Sequence, residues 1–307
     1  MSAELFRPPE DLRSGPESLA PQFDELVPPD AVVERVWSGA LWDEGPAYLE
    51  QINSVVFSDI PNNRLMLYSL DNGSCTEWRA PSHFTNGNTV DREGRLVSCE
   101  HGRRCISRTE RDGSITVLAD RYRGQRLNSP NDAVVKSDGT IWFTDPPYGI
   151  IDPTQGHPAE SELGVNHLFR HDPASGELTI ASSAMDRPNG LAFSPDERVL
   201  YVSDTGAPAN VMAFNVSPRG ELSNPREFAK PRPGKPDGMR VDRHGNLFSS
   251  AWDGIHVFQP DGALIGKIQV PEQRTSNCTF AGPQRNWLFI TATHSLYRVR
   301  LSTSGAA

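Results

Sequence analysis

The sequence predicts an all-β fold, a six-bladed β-propeller, on three observations. A polar residue opens onto an apolar stretch six times, at Glu44, Asn86, Asn131, Asn189, Asp237 and Asn277. Four of these openings share one ungapped register, in which an apolar strand, a turn and a second apolar strand follow. The copies recur at roughly 40 to 60 residues, the period of short-stranded repeats that assemble into propellers or solenoids.

In chain order, residues 1–30, MSAELFRPPEDLRSGPESLAPQFDELVPPD, are rich in Pro and acidic side chains and read as a partly irregular N-terminal extension. Residues 31–307 then read as one propeller domain, a size that all-β architectures commonly reach as a single unit. Glu44 opens the first copy, EGPAYLEQINSVVFSD, with extra residues before its strand. Asn86 opens NGNTVDREGRL, Asn131 opens NDAVVKSDGTIWFTD, Asn189 opens NGLAFSPDERVLYVSD and Asp237 opens DGMRVDRHGNLFSS; their turns fall at Gly94, Gly139, Glu197 and Gly245. The last copy, NCTFAGPQRNWLFITAT from Asn277, replaces the Asp-Gly turn with Gln-Arg-Asn. Outside the N-terminal segment no helical period runs beyond about two turns. The 26 Pro and 25 Gly are spread along the chain, as many tight turns require.

A propeller sets the innermost strand of each blade around a central channel, so the six openers should converge at one channel mouth. Turn chemistry suffices for any one of them. It does not explain why Glu44 and Asp237 break an amide series at the same register, whereas a cation in the channel does.

The formal net charge of −9 argues against a nucleic-acid backbone as partner, which needs concentrated Lys and Arg. The one basic cluster, His101-Gly102-Arg103-Arg104, reads either as a solvated turn or as a channel-mouth contact for an anionic substrate. No apolar run approaches the roughly 20 residues of a membrane span, so no membrane partner is expected. The N-terminus lacks the charged start and apolar stretch of a secretory signal, which makes a cytoplasmic location the expectation. Cys75, Cys99, Cys105 and Cys278 have neither zinc-site spacing nor the density of a disulfide framework, and read mostly as small buried hydrophobes. There is no Gly-x-Ser-x-Gly elbow, phosphate-binding loop or dinucleotide fingerprint.

Several motifs in blade register carry a resemblance: Glu44-Gly45-Pro46, Asn128-Ser129-Pro130-Asn131-Asp132 followed by Phe143-Thr144-Asp145-Pro146, Pro188-Asn189-Gly190-Leu191, Pro236-Asp237-Gly238-Met239 and Ser276-Asn277-Cys278. Over about residues 40 to 300 the chain resembles the gluconolactonase family, which includes senescence marker protein (regucalcin), and is most similar to its bacterial gluconolactonases. The resemblance implies a propeller with a central metal site, one divalent cation held by Glu44, Asn189 and Asp237. Asn131 and Asp132 match family residues that contact substrate or metal-bound water.

Two carboxylates and an amide carbonyl form an oxygen-only set suited to a hard cation. Calcium is the expected ion, with magnesium, manganese and zinc as alternatives. Such a cation can polarise a lactone carbonyl and lower the pKa of a coordinated water. Among family members the equivalent of Asp237 is the usual candidate for the catalytic base; Asp132 is the other. In the animal members an Arg lies two positions before the substrate-binding Asn. Here that position is Ser129, and the nearest basic residue, Arg126, is the candidate substrate contact. In the Asp145-Pro146-Pro147-Tyr148 stretch, Tyr148 either closes over a sugar-like ligand or packs on a blade.

The expected function is a metal-dependent lactonase that hydrolyses a small sugar lactone of the glucono-1,5-lactone type to its aldonic acid. The alternatives are hydrolysis of another lactone or a phosphotriester on the same propeller, and a non-catalytic, metal-stabilised propeller that binds a partner protein.

Overall fold

The computed structural model describes residues 13–306 of the 307. They form six antiparallel sheets, five of four strands and one widened to five, together with a two-stranded hairpin, Arg121–Tyr122 with Gln125–Arg126. The innermost strands of blades one to six are Asp43–Leu49, Thr85–Val90, Ala133–Val135, Pro188–Phe193, Met239–Val241 and Thr275–Ala281. Each touches the innermost strands of both neighbouring blades, which closes the ring. All six polar openers stand at the start of these strands or within two residues before it, as the shared register predicts.

The strands follow from a gradient of polarity across each blade. The second strand of blade one, Ser54–Asp59 (SVVFSD), is buried at every position because a blade packs on each of its faces. The outermost strand of the same blade, Cys75–Arg79, exposes Thr76, Glu77 and Trp78. Between neighbouring blades the apolar side chains gather into six separate clusters. Val97, Phe143 and Phe169 fill the junction of blades two and three, and Trp142, Leu200 and Phe214 fill the next. Burial of these side chains is the main force holding blade to blade.

The turns read from sequence adopt the left-handed conformation that glycine favours, with φ of +76° at Gly94, +85° at Gly139 and +87° at Gly245. Glu197 holds the same conformation without being glycine, at φ +55°. Its carboxylate accepts hydrogen bonds from the Ser137 backbone (2.6 Å) and pairs with Lys136 (3.1 Å), contacts that offset the local strain.

Blade six joins an early and a late segment of the chain, Glu34–Ser38 pairing with Ser295–Arg300 as its outermost strand. Before it, Gly15–Ser18 adds a fifth strand to blade five, and the short helix Pro21–Leu26 buries Phe23 among Phe248, Ile255 and Ile268. Residues 1–12 of the extension lie outside the described residues. No helix among the described residues is long and apolar enough to cross a membrane.

Candidate active site

The backbone carbonyls of the openers are pinned from the preceding blade. Ser58 Oγ donates to the Asn86 carbonyl (2.6 Å), Thr144 Oγ1 to that of Asn189 (2.7 Å) and Ser203 Oγ to that of Asp237 (2.7 Å). Ser276 Oγ of blade six closes the series on the carbonyl of Asp43, beside Glu44 (2.6 Å). The residue after the opener permits this closeness. A Cβ on Gly190 would stand 2.2 Å from the Asp237 carbonyl oxygen, and one on Gly238 would overlap the Asn277 side chain. With their backbones so fixed, Glu44, Asn86, Asn131 and Asn189 are buried, and Asp237 is half-buried.

Three amide oxygens in this ring, Asn86 Oδ1, Asn131 Oδ1 and Asn189 Oδ1, are buried without any hydrogen-bond donor. For Asn86 and Asn189 the orientation is set by what the side-chain amide bonds. Asn86 Nδ2 lies 3.3 Å from His101 Nε2, while His101 Nδ1 lies 3.1 Å from the Gln155 carbonyl. Burial lowers the His101 pKa to about 4, so the ring is neutral, donating from Nδ1 and accepting from Asn86. The Asn189 side chain is hydrogen-bonded to Asp237.

The carboxylates crowd one another. Burial, then the charge of Asp132, raises the Asp237 pKa to about 7, against the opposing pull of Arg274. Burial raises that of Glu44 well above the usual carboxylate range, and the charges of Asp237 and Asp132 add to it. Glu44 has one local donor, the Gly45 amide at 2.7 Å from Oε2. Bare amide oxygens beside mutually repelling carboxylates are costly in a buried setting without a compensating positive charge.

Asp132 occupies the position that is glycine in four other blades, so its side chain enters the channel. There it accepts from the Ala133 amide (2.9 Å) and from Asn277 Nδ2 (3.4 Å), and faces Arg240 Nη1 at 3.7 Å. Arg240, which sequence reasoning missed, also lowers the Glu44 pKa. The available cue was one charged residue in the short inner strand Met239-Arg240-Val241.

At the rim, Tyr148 begins a short helix, Tyr148–Ile151, and its hydroxyl pairs with Thr205 Oγ1. It lies within the field of Asp237, beneath the Arg187 guanidinium. Arg126 does not join this group: its Nη2 donates to the Arg103 carbonyl (2.9 Å) and its backbone to Glu162 (2.8 Å). The His101–Arg104 cluster is no solvated turn. His101 and Arg104 are buried, the latter donating to the Leu127 carbonyl (2.6 Å), while Arg103 faces Glu100 at 3.4 Å. Cys99, Cys105 and Cys278 are buried free thiols, and Cys75 is half-buried. A separate cavity of about 710 Å³ opens at the far ends of the inner strands, among Val90, Val135, Phe193, Val241 and Phe280, with Arg240 between it and Asp132.

The model of the SMP-30/gluconolactonase/LRE-like region matches residues 42–294. The chain belongs to the SMP-30/gluconolactonase family. It is 35% identical to a gluconolactonase of Zymomonas mobilis over 94% of this chain and 86% of that protein. A solved gluconolactonase from Xanthomonas campestris is 41% identical, with a TM-score of 0.89 over 96% of this chain and 99% of the other. A pentonolactonase of Haloferax volcanii is 26% identical over 81% of this chain and 80% of that protein. In this gluconolactonase-family member, no group of three or more His, Cys, Asp or Glu among the described residues is placed to hold a metal ion alone. A cation at this mouth would therefore need oxygens other than carboxylates, and the bare Oδ1 of Asn189, whose side chain is hydrogen-bonded to Asp237, is one such oxygen.

Proposed function

We propose that this protein is a divalent-cation-dependent lactone hydrolase acting on a sugar lactone of the glucono-1,5-lactone type to release the aldonic acid. The observation that carries the reading is the ring of donor-less amide oxygens beside the charge-stressed carboxylates Glu44 and Asp237. Glu44, Asn189 and Asp237 would hold the cation, and their hard, oxygen-only character suits calcium, magnesium or manganese better than zinc, with calcium the ion to test first. When bound, it supplies Lewis-acid polarisation of the ester carbonyl and acidifies water.

The chain's own residues divide the remaining work. Asp237, half-buried at the mouth, accepts the proton of the attacking water. Asn131 and Tyr148 orient the lactone. Asp132, held by Arg240, Asn277 and the Ala133 amide, is a fixed carboxyl group beneath the site rather than a mobile base. Named lactonases among the relatives support the reaction class. A panel of aldonolactones, other lactones and phosphotriesters, followed by pH indicator with and without chelator, tests it. Fastest turnover of a six-carbon aldonolactone is expected. Faster turnover of a phosphotriester, or none of any substrate, would refute it.

A further inference from the structure

We propose that Arg187 and Lys235 form an anion-recognising wall on one side of this mouth, and that the preferred substrates are lactones carrying a second, anionic group away from the ester. The inference rests on the lactonase reading above. Both residues stand two positions before a channel opener, Arg187 before Asn189 and Lys235 before Asp237. At the same offset the other blades place Trp42, Phe84, Ser129 and Thr275, none of them a cation. At this offset, positive charge is thus confined to blades four and five.

The two cations are built onto one loop. The Thr205 amide donates to the Arg187 carbonyl (3.0 Å), and Lys235 Nζ donates to the carbonyls of Thr205 (2.8 Å) and Gly206 (3.3 Å). Thr205 Oγ1 pairs with the Tyr148 hydroxyl, and the Arg187 guanidinium lies 5.7 Å from the centre of the Tyr148 ring. That ring in turn feels the charge of Asp237. Among the described residues no ion pair engages Arg187 or Lys235 with a carboxylate, although many of the chain's other Lys and Arg side chains form one. Arg274, set between Trp42 (5.9 Å) and Trp252 (5.1 Å), adds a third positive charge felt by Asp237.

A neutral sugar lactone needs only hydroxyl partners. A second anionic group would give Arg187 and Lys235 the carboxylate or phosphate partner that none of the chain's own ion pairs supplies, and a guanidinium offers the planar donors that carboxylate and phosphate oxygens match. With the ester over the channel, the anionic group would extend over blades four and five.

The test compares kcat/KM for glucono-1,5-lactone, 6-phosphoglucono-1,5-lactone and glucaro-1,4-lactone, with saturating calcium, in the unsubstituted protein and in Arg187→Met and Lys235→Met. Preference for at least one anionic lactone by about ten- to a hundredfold is expected, the range of a charge-assisted contact. That ratio should collapse towards one in each variant, and the phosphate and carboxylate substrates show which anion the wall takes. Equal specificity in the unsubstituted protein, or a preference that survives both substitutions, overturns the proposal. So does a variant that loses only inhibition by gluconate, because the cations would then serve the product. Inactivity on all three lactones removes the lactonase reading as well, whereas activity on glucono-1,5-lactone without preference removes this inference alone.

Discussion

Asp132 Oδ2 faces Arg240 Nη1 at 3.7 Å inside the channel, joining blade three to blade five beneath the ring of openers. Asp132 is almost fully buried, so removing it takes the acceptor from the Ala133 amide and Asn277 and leaves Arg240 Nη1 with only the Met239 carbonyl (2.7 Å). Asp132→Ala should cost roughly 3 kcal/mol, the scale of breaking a buried pair from one side. Urea denaturation of Asp132→Ala, Arg240→Met and the double variant measures this. The double variant is expected to be less destabilised than the sum of the two, and strict additivity would show that the pair is not coupled.

Asp145 gives a pH dependence. Burial raises its pKa to about 7, against hydrogen bonds from the backbones of Asn128 and Ser129. A raised carboxylate pKa means the folded state keeps a proton that the unfolded state has lost. Its contribution is therefore fully present below about pH 4 and disappears as the pH rises to about 7. Between those limits Asp145 should remove roughly 4 kcal/mol from folding stability. Asp145→Asn should flatten that part of the stability profile in chelator-treated protein. An unchanged slope would mean that Asp145 is ionised when folded.

Two glycines separate ring closure from turn geometry. A Cβ on Gly190 would press on the Asp237 carbonyl at 2.2 Å and on the Gly238 Cα at 2.6 Å, both backbone atoms of the next blade. Gly190→Ala should therefore part blades four and five, costing about 3 kcal/mol or more and most of the activity. Gly139 meets nothing within 4 Å, and its φ is +85°. Gly139→Ala should cost only about 1 to 2 kcal/mol of backbone strain and leave turnover per folded molecule unchanged. Thermal unfolding and lactone turnover on one preparation test both, and equal losses would contradict the inter-blade argument.

The blades were legible because each repeats a local grammar. An opener, an apolar strand, a left-handed turn residue and a second strand are written within some fifteen residues, so even Glu197 could be placed at its turn. That the openers share one channel mouth followed from the same register, whereas the choice of Glu44, Asn189 and Asp237 among them as cation ligands came from the family resemblance. What the register could not carry was pairing between blades. Arg240 meets Asp132 only after the ring closes, and Arg187 and Lys235 meet at the Thr205 loop through contacts of that loop's own. The burial of His101 and Arg104 was hidden for a related reason: the carbonyls of Gln155 and Leu127 that receive them come from a distant part of the chain. The helix Pro21–Leu26 sat within a Pro-rich, acidic stretch whose composition masked a single anchoring ring, Phe23.

Titrating calcium into chelator-treated protein tests whether this mouth hydrolyses a lactone through a cation held by Glu44, Asn189 and Asp237. Calorimetric binding and glucono-1,5-lactone turnover are followed together in the unsubstituted chain and in Asp237→Asn. One calcium is expected to bind and to restore turnover in the unsubstituted chain. In Asp237→Asn binding should weaken, and turnover at saturating calcium should stay lower by about 10² to 10⁴, the range lost with a general base. Full activity in chelator without calcium, or near-native turnover by Asp237→Asn, would contradict it.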